Sequence, residues 1–227
     1  MNYSPEHIAK AIDAETFLEQ ESSSITNVLI DSRTVSCNEQ SLFFALVGVT
    51  NDGHQYIEDL IDQGVRNFVV SNASCIDKQA NYFLVDDTTD ALQQLSLYHR
   101  QQYKIPVIGV TGSNGKTIVK EWLATSLENI EVTVKTIGSY NSQIGVPLSV
   151  FQLNKLHTLG IFEAGISKFG EMEKLQAIIQ PTLGILTNIG GAHDVGFHSK
   201  PEKIPEKIKL FEFCDSLICN EKYADLM

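Results

Sequence analysis

The stretch Gly112-Ser113-Asn114-Gly115-Lys116-Thr117 sets two glycines, a lysine and a hydroxyl between an apolar run, PVIGVT, and a helix-patterned one, KTIVKEWLATSLEN. That order suits the phosphates of a nucleotide. The glycines let the backbone fold around an anion and turn its N–H groups inward. The start of a helix adds the positive end of its dipole. Lys116 would reach the β- and γ-phosphates as a point charge, and the Thr117 hydroxyl would ligate Mg²⁺. The strict G-x-x-x-x-G-K-[ST] pattern is not met, because Val110 stands where its first glycine belongs. The plainer alternative is an ordinary glycine-rich turn. Placement of Gly-Lys-Thr at a strand-to-helix junction favours the nucleotide.

Three further segments end apolar runs in polar groups, and ligands of an open parallel sheet gather beyond the carboxyl ends of its strands. LGIFEAG puts Glu163 at such an end, where a carboxylate could hold Mg²⁺ opposite Thr117. LGILTNIGGAH ends in Thr187 and Asn188 and, after a glycine-rich turn, His193. SYNSQIGVP offers Asn141, Ser142 and Gln143. Taken singly, these have ordinary explanations: a solvated strand tip, a structural histidine, a turn.

The elements that must position these residues follow from periodicity. Over the first 87 residues short apolar runs alternate with helical patterns: HIAKAIDAETF as a small helix, NVLIDSR and QSLFFALVG as strands, GHQYIEDLIDQGV as a helix, then RNFVVS and NYFLVDD as strands. This is a small N-terminal α/β domain, 1–87. A helix over 88–103, capped by Thr88 or Thr89, opens the second domain, 88–227. There a steady alternation follows: strands in PVIGVTG, EVTVKTI, TLGIFEAG, TLGILTNIG and DSLICN, with helices in KTIVKEWLATSLEN, GVPLSVFQL, GEMEKLQAIIQ and PEKIKLFEFC. Near-continuous apolar strands between amphipathic helices imply a parallel sheet covered on both faces.

Composition narrows the partners. Among 227 residues, 43% are hydrophobic and 20% charged, as in a globular protein. A formal charge of −11 disfavours a nucleic-acid backbone as principal partner, so any phosphate chemistry must be local. No apolar stretch is long enough to span a membrane, and MNYSPEHIAKAIDAE lacks the layout of a secretory signal. The four cysteines are scattered without C-x-x-C spacing, which points to a reducing cytoplasm.

In this order the segments resemble the Mur ligases, the ATP-dependent amide-forming enzymes of peptidoglycan precursor synthesis. DSRTVSCNEQSLFFALVGVTNDGHQYIEDLIDQGV is similar to the family's UDP-sugar-binding module, with Asp31-Ser32-Arg33 and Asp52-Gly53-His54 at its signature positions. TGSNGKTIVKE, YNSQIGVPLS, EAGISKFGEME and TNIGGAH resemble the branch that adds D-Ala-D-Ala to UDP-MurNAc-tripeptide. The resemblance implies a UDP-MurNAc-peptide-binding domain followed by a P-loop-type ATPase domain that is incomplete at its C-terminus. It implies ATP on Gly112, Ser113, Asn114, Gly115, Lys116, Thr117 and Asn188, and a first Mg²⁺ on Thr117 and Glu163. His193 matches the histidine of a second metal, and Lys207 the lysine carbamylated in related ligases to give a metal-binding carboxylate; without the family, Lys207 is one of several lysines in KPEKIPEKIKLF. Asn141, Ser142 and Gln143 fall on the substrate side. The implied protein is a monomer, and the fragment alone is expected not to ligate.

There are departures from the family's pattern. Ile118 replaces a second threonine, Ser139 and Ser142 stand where asparagines are common, Gly191 replaces a frequent proline, and Pro205 falls in a segment that should be helical. Two alternatives stay open: an amino-acid-adding ligase of the same family, and a non-catalytic nucleotide-binding module.

Overall fold

The computed structural model describes residues 1–19, 24–33, 38–190 and 200–226. The chain divides into two compact units, Met1–Tyr98 and His99–Met227. The division falls inside a helix, later than the 87/88 boundary expected from the sequence. The first turn of that helix is tied into the first unit, where the buried Thr88 hydroxyl donates to Ala45 O at 3.1 Å.

In the first unit, α1 (Pro5–Ala11) begins where the Ser4 side chain accepts from His7 N and Pro5 presets the first helical φ. The helix expected to run on to Phe17 stops here, with Asp13 at φ +49° just beyond. Glu15–Phe17 instead forms β1. Then follow β2 (Asn27–Leu29), β3 (Ser41–Phe44), a 3₁₀ turn at Gly53–Tyr56 leading into α2 (Ile57–Asp62), β4 (Asn67–Val70) and β5 (Asn81–Leu84). The sheet order is β1-β5-β4-β3-β2. Strands β2 to β5 are parallel, and β1 joins β5 antiparallel, pairing Thr16 with Phe83, so the sheet is mixed. The rings of Phe43, Phe68 and Tyr82, one from each of three adjacent strands, pack with centroids 6.2 and 5.7 Å apart in the buried core.

Helix α3 (Thr88–Gln101) takes its cap from Asp87, not from Thr88 or Thr89. Asp87 Oδ1 accepts from Thr89 N at 2.7 Å and Asp90 N at 2.9 Å. A carboxylate there also complements the helix dipole.

The second unit holds β6 (Val107–Thr111), α4 (Lys116–Leu127), β7 (Thr133–Lys135), α5 (Gly145–Val150), β8 (Leu159–Glu163), α6 (Glu171–Ile179), β9 (Leu183–Leu186), α7 (Lys200–Ile208) and β10 (Ser216–Ile218). Its sheet, ordered β10-β9-β6-β8-β7, is parallel throughout. Every residue of β6 and β8 is buried, as expected of central parallel strands. The chain moves to β7 and β8 on one side of β6, then to β9 and β10 on the other. The carboxyl end of β6 is therefore the switch point where a crevice opens. Helix α7 begins at Lys200, so Pro205 lies within the helix and not at its start. Cys75, Cys214 and Cys219 are free thiols, and no described helix is long and apolar enough to cross a membrane.

Candidate functional site

The loop between β6 and α4 is shaped by two glycines with positive φ. At Gly112 φ is +147°, and a Cβ would stand 2.0 Å from Thr187 Oγ1. Gly115, at φ +80°, caps α4 with nothing within 4 Å of its absent Cβ. Asn188, at the end of β9, stitches the loop: its carbonyl accepts from Ser113 N at 2.8 Å and its side-chain oxygen from Asn114 N at 2.9 Å. The Ser113 hydroxyl accepts in turn from Gly190 N at 3.0 Å. With those two loop amides held by Asn188, the amides facing a ligand are those of the first turn of α4. They have no acceptor within the helix, whose first bond runs from Val119 N to Gly115 O.

Two lysines converge on this loop. Lys116 Nζ donates to Gly112 O at 3.0 Å, and Lys207 Nζ, from α7, reaches the same oxygen at 3.4 Å. Lys207 is 2% exposed, whereas the side chain of Lys209, two residues on, is 41% exposed. Lys116 and Lys207 line a cleft of about 390 Å³ together with Gly112, Ser113, Asn141 and Gln143. Two ammonium groups facing one cavity favour an anion there.

Glu163 ends β8 beside the loop and is 1% exposed. Both its oxygens are engaged: Thr117 Oγ1 donates to Oε2 at 2.8 Å, and Asn141 Nδ2 donates to Oε1 at 2.6 Å. Neighbouring ligands of an octahedral Mg²⁺ at 2.0–2.1 Å stand about 2.9 Å apart. The hydroxyl and carboxylate oxygens are thus already spaced as two such ligands, and the residues fit the ion. Among the described residues no group of three or more His, Cys, Asp or Glu side chains is assembled. His193 lies outside the described residues.

Of the three polar residues expected on the substrate side, Asn141 reaches Glu163. Ser142 Oγ accepts from Gly145 N at 3.2 Å at the start of α5, and Gln143 Nε2 donates to Glu171 O at 3.0 Å. Those two line the cleft while holding its wall. Sequence reasoning missed Thr136, whose hydroxyl accepts from Glu163 N at 2.8 Å, and Lys120, which is wholly buried. The spacing of Lys116 and Lys120, one helical turn apart, was the available signal for the latter.

In the first unit, Asp31-Ser32-Arg33 follows β2 and Asp52-Gly53-His54 follows the adjacent β3. Arg33 grips Asp31 with two side-chain bonds, at 2.9 and 2.6 Å, and its amide adds a third at 3.0 Å. The side-chain bonds to Arg33 above all hold the Asp31 carboxyl down to about 2. The Arg33 side chain is 87% exposed. Asp52 accepts from His54 N at 3.0 Å and pairs with His54 Nδ1 at 2.6 Å, while His54 Nε2 accepts from Ser71 N at 3.0 Å. The proton of a neutral His54 therefore sits on Nδ1. Gly53 fits against the Ala45 backbone, where a Cβ would come within 2.8 Å. The second triplet is thus a clasp between strand ends, whereas Arg33 is presented to solvent. A larger hollow of about 610 Å³ in this unit is lined by Asp13, Glu15, Asp86, Asp87 and Asp90. It contains none of the signature residues, and its charge repels phosphate.

A parallel sheet with a glycine-lysine-threonine loop at the end of its central strand, and a buried carboxylate on the next strand, is the arrangement of a phosphate-loop α/β fold, here preceded by a small mixed-sheet α/β unit. Residues 110–225 match the Mur ligase middle domain, and residues 24–100 match the catalytic domain of the Mur ligase family. The chain belongs to the Mur ligase family. It is 37% identical to the UDP-N-acetylmuramoyl-tripeptide–D-alanyl-D-alanine ligase of Synechocystis over 80% of this chain and 42% of that protein. The Rickettsia prowazekii ligase of the same name is 34% identical, again over 80% of this chain and 42% of the relative. A crystal structure of MurF from Acinetobacter baumannii matches with TM-score 0.90 and 28% identity, covering 97% of this chain and 49% of that one. MurF from Thermotoga maritima in complex with ADP matches with TM-score 0.79 and 27% identity, over 88% and 47%. The chain therefore spans less than half the length of these relatives.

Proposed function

We propose that this chain carries the nucleotide-substrate and ATP sites of a ligase that joins D-Ala-D-Ala to UDP-MurNAc-tripeptide. The observation that carries the reading is the meeting of Lys116, Thr117, Glu163 and Asn141 at the mouth of β6 and β8. The names of the relatives at 34–37% identity and the ADP complex of the Thermotoga maritima protein support it. Phosphoryl transfer asks for positioning and charge neutralisation more than for side-chain chemistry. In this reading the substrate carboxylate attacks the γ-phosphorus of ATP and ADP leaves. The amine of D-Ala-D-Ala then attacks the acyl phosphate, giving the amide and releasing phosphate.

Lys116 and the first-turn amides of α4 hold the phosphates. Gly112, Ser113, Asn114, Gly115 and Asn188 shape the loop that presents them. Thr117 and Glu163 hold Mg²⁺, which when bound neutralises developing charge on phosphate oxygens, and Asn141 fixes the free oxygen of Glu163. Lys207 adds a positive wall to the cleft; carbamylation would exchange that charge for a metal-binding carboxylate. In the first unit Arg33 is the exposed cation for the diphosphate of the UDP-sugar, with Asp52-Gly53-His54 supporting the strand ends behind it. The scattered free thiols suit a cytoplasmic enzyme, and we read the chain as a monomer.

Calorimetric titration with UDP-MurNAc-tripeptide and with UDP-MurNAc-dipeptide tests the assignment. Saturable binding that prefers the tripeptide supports it. Absence of binding to either removes the substrate half of the proposal, and preference for the dipeptide moves the chain to the amino-acid-adding branch.

A further inference from the structure

Lys120 lies on α4 one turn beyond Lys116 and is 0% exposed. Lysine is among the residues least often fully buried without partners. Its Nζ donates to Thr136 O at 2.9 Å and Gly138 O at 2.5 Å, and pairs with Glu121 Oε1 at 2.9 Å. An ammonium has three N–H groups, and these contacts use all of them.

Two of the three acceptors belong to residues 136–144, the connection from β7 to α5. That connection meets Glu163 twice, through the Thr136 hydroxyl on its amide and through Asn141 on Oε1. Thr117, on α4 one turn before Lys120, meets Oε2. The contacts close into a ring that runs from α4 through Thr117 to Glu163, on to Asn141 and the 136–144 connection, and back through Lys120 to α4. Lys120 is the strut of that ring opposite the carboxylate. An apolar side chain there would leave the buried Thr136 carbonyl without this donor, release Gly138 O, and free the connection to drift from the helix.

We propose that Lys120 is a positioning residue for the Mg²⁺-holding pair: by fixing the distance between α4 and the 136–144 connection, it keeps Thr117 and Asn141 on the two oxygens of Glu163. This rests on the reading of Thr117 and Glu163 as ligands of Mg²⁺ on bound ATP. Groups hydrogen-bonded to a metal's ligands commonly tune its affinity, and Lys120 holds the connection that carries two of them, Thr136 and Asn141.

The test is calorimetric titration of the 227-residue chain with ATP, once with saturating Mg²⁺ and once with EDTA, for the unaltered protein and for Lys120→Met. The substitution is expected to weaken the Mg²⁺-supported binding by about tenfold to a hundredfold and to leave binding in EDTA within about twofold. An equal loss under both conditions, or no loss under either, overturns the proposal and leaves Lys120 a purely structural lysine. Should Lys120→Met fail to fold by circular dichroism, Lys120→Gln, which keeps two N–H donors, is titrated in its place against the same two outcomes. Absence of ATP binding by the unaltered chain in both conditions overturns the nucleotide reading itself, and this proposal with it.

Discussion

Thr117 Oγ1 stands 2.8 Å from Glu163 Oε2, and this contact bridges the first turn of α4 and the last residue of β8. A hydroxyl and a buried carboxylate from two different elements are thereby held at the spacing of neighbouring Mg²⁺ ligands before any ion arrives. Preorganisation of this kind would lower the cost of assembling the proposed Mg²⁺ site.

Glu163→Gln keeps the shape of the side chain and removes its charge. Binding of ATP in the presence of Mg²⁺ is expected to weaken by about tenfold or more, roughly 1.4 kcal/mol. Binding in EDTA should change little, because the proposed site gives the phosphates to Lys116 and not to Glu163. Titration in both buffers measures the difference; equal affinities for variant and parent in Mg²⁺ would remove Glu163 from the metal site.

Gly112 and Gly115 both have positive φ, yet they should respond differently to alanine. At Gly112 the new Cβ meets Thr187 Oγ1 at 2.0 Å, so Gly112→Ala forces the loop or β9 to move and costs about 2–4 kcal/mol. At Gly115 the space is open, and only the backbone term of about 1–2 kcal/mol applies. Urea unfolding of the two variants checks the order.

Burial drives His99 down to about 4, well below its ordinary value, although its Nε2–H donates to Leu153 O at 3.0 Å. The ring packs against Tyr103 and Phe151 as a neutral group. The folded value lies below the unfolded one, so on acidification the unfolded chain takes up the proton first and stability falls as pH drops from about 6.5 towards 4. Between pH 7 and 5 this amounts to about 2 kcal/mol. His99→Phe should be less stable at pH 7, with Leu153 O left unpaired, and should lack this acid-dependent loss. Denaturant titrations at the two pH values test it.

Arg33 and His54 occupy neighbouring signatures but separate by exposure. Arg33→Ala removes an exposed, solvent-screened ion pair and should leave stability nearly unchanged while weakening UDP-sugar binding. His54→Ala leaves Ser71 N without its acceptor and should destabilise the first unit by about 1–3 kcal/mol. Thermal unfolding and calorimetry, run on both variants, give the two patterns.

The parallel sheet of the second unit was legible because β6 and β8 are buried on both faces and so read as continuous apolar runs. The strand-end rule pointed to Glu163 and to the polar run containing Asn141. Strand β1 was not legible: Thr16 and Phe17 continue the pattern of the preceding helix, and their partners at Tyr82 and Phe83 are distant in the chain. The cap of α3 went to a threonine because both types suit the position, and only the bonds to Asp87 decide between them. Pro205 suggested a helix start because local preference cannot reveal the turn that precedes it. Nothing local marked Lys120 as buried; its burial depends on Thr136 and Gly138, which arrive from the connection after another strand.

The central claim is that the loop at residues 112–117 binds the phosphates of ATP through Lys116. Calorimetric titration of the chain with Mg·ATP, repeated with Lys116→Ala, tests it most directly. Saturable binding that Lys116→Ala abolishes or weakens by about a hundredfold, near 2.7 kcal/mol, is the expected result. Equal binding by the two proteins would contradict it.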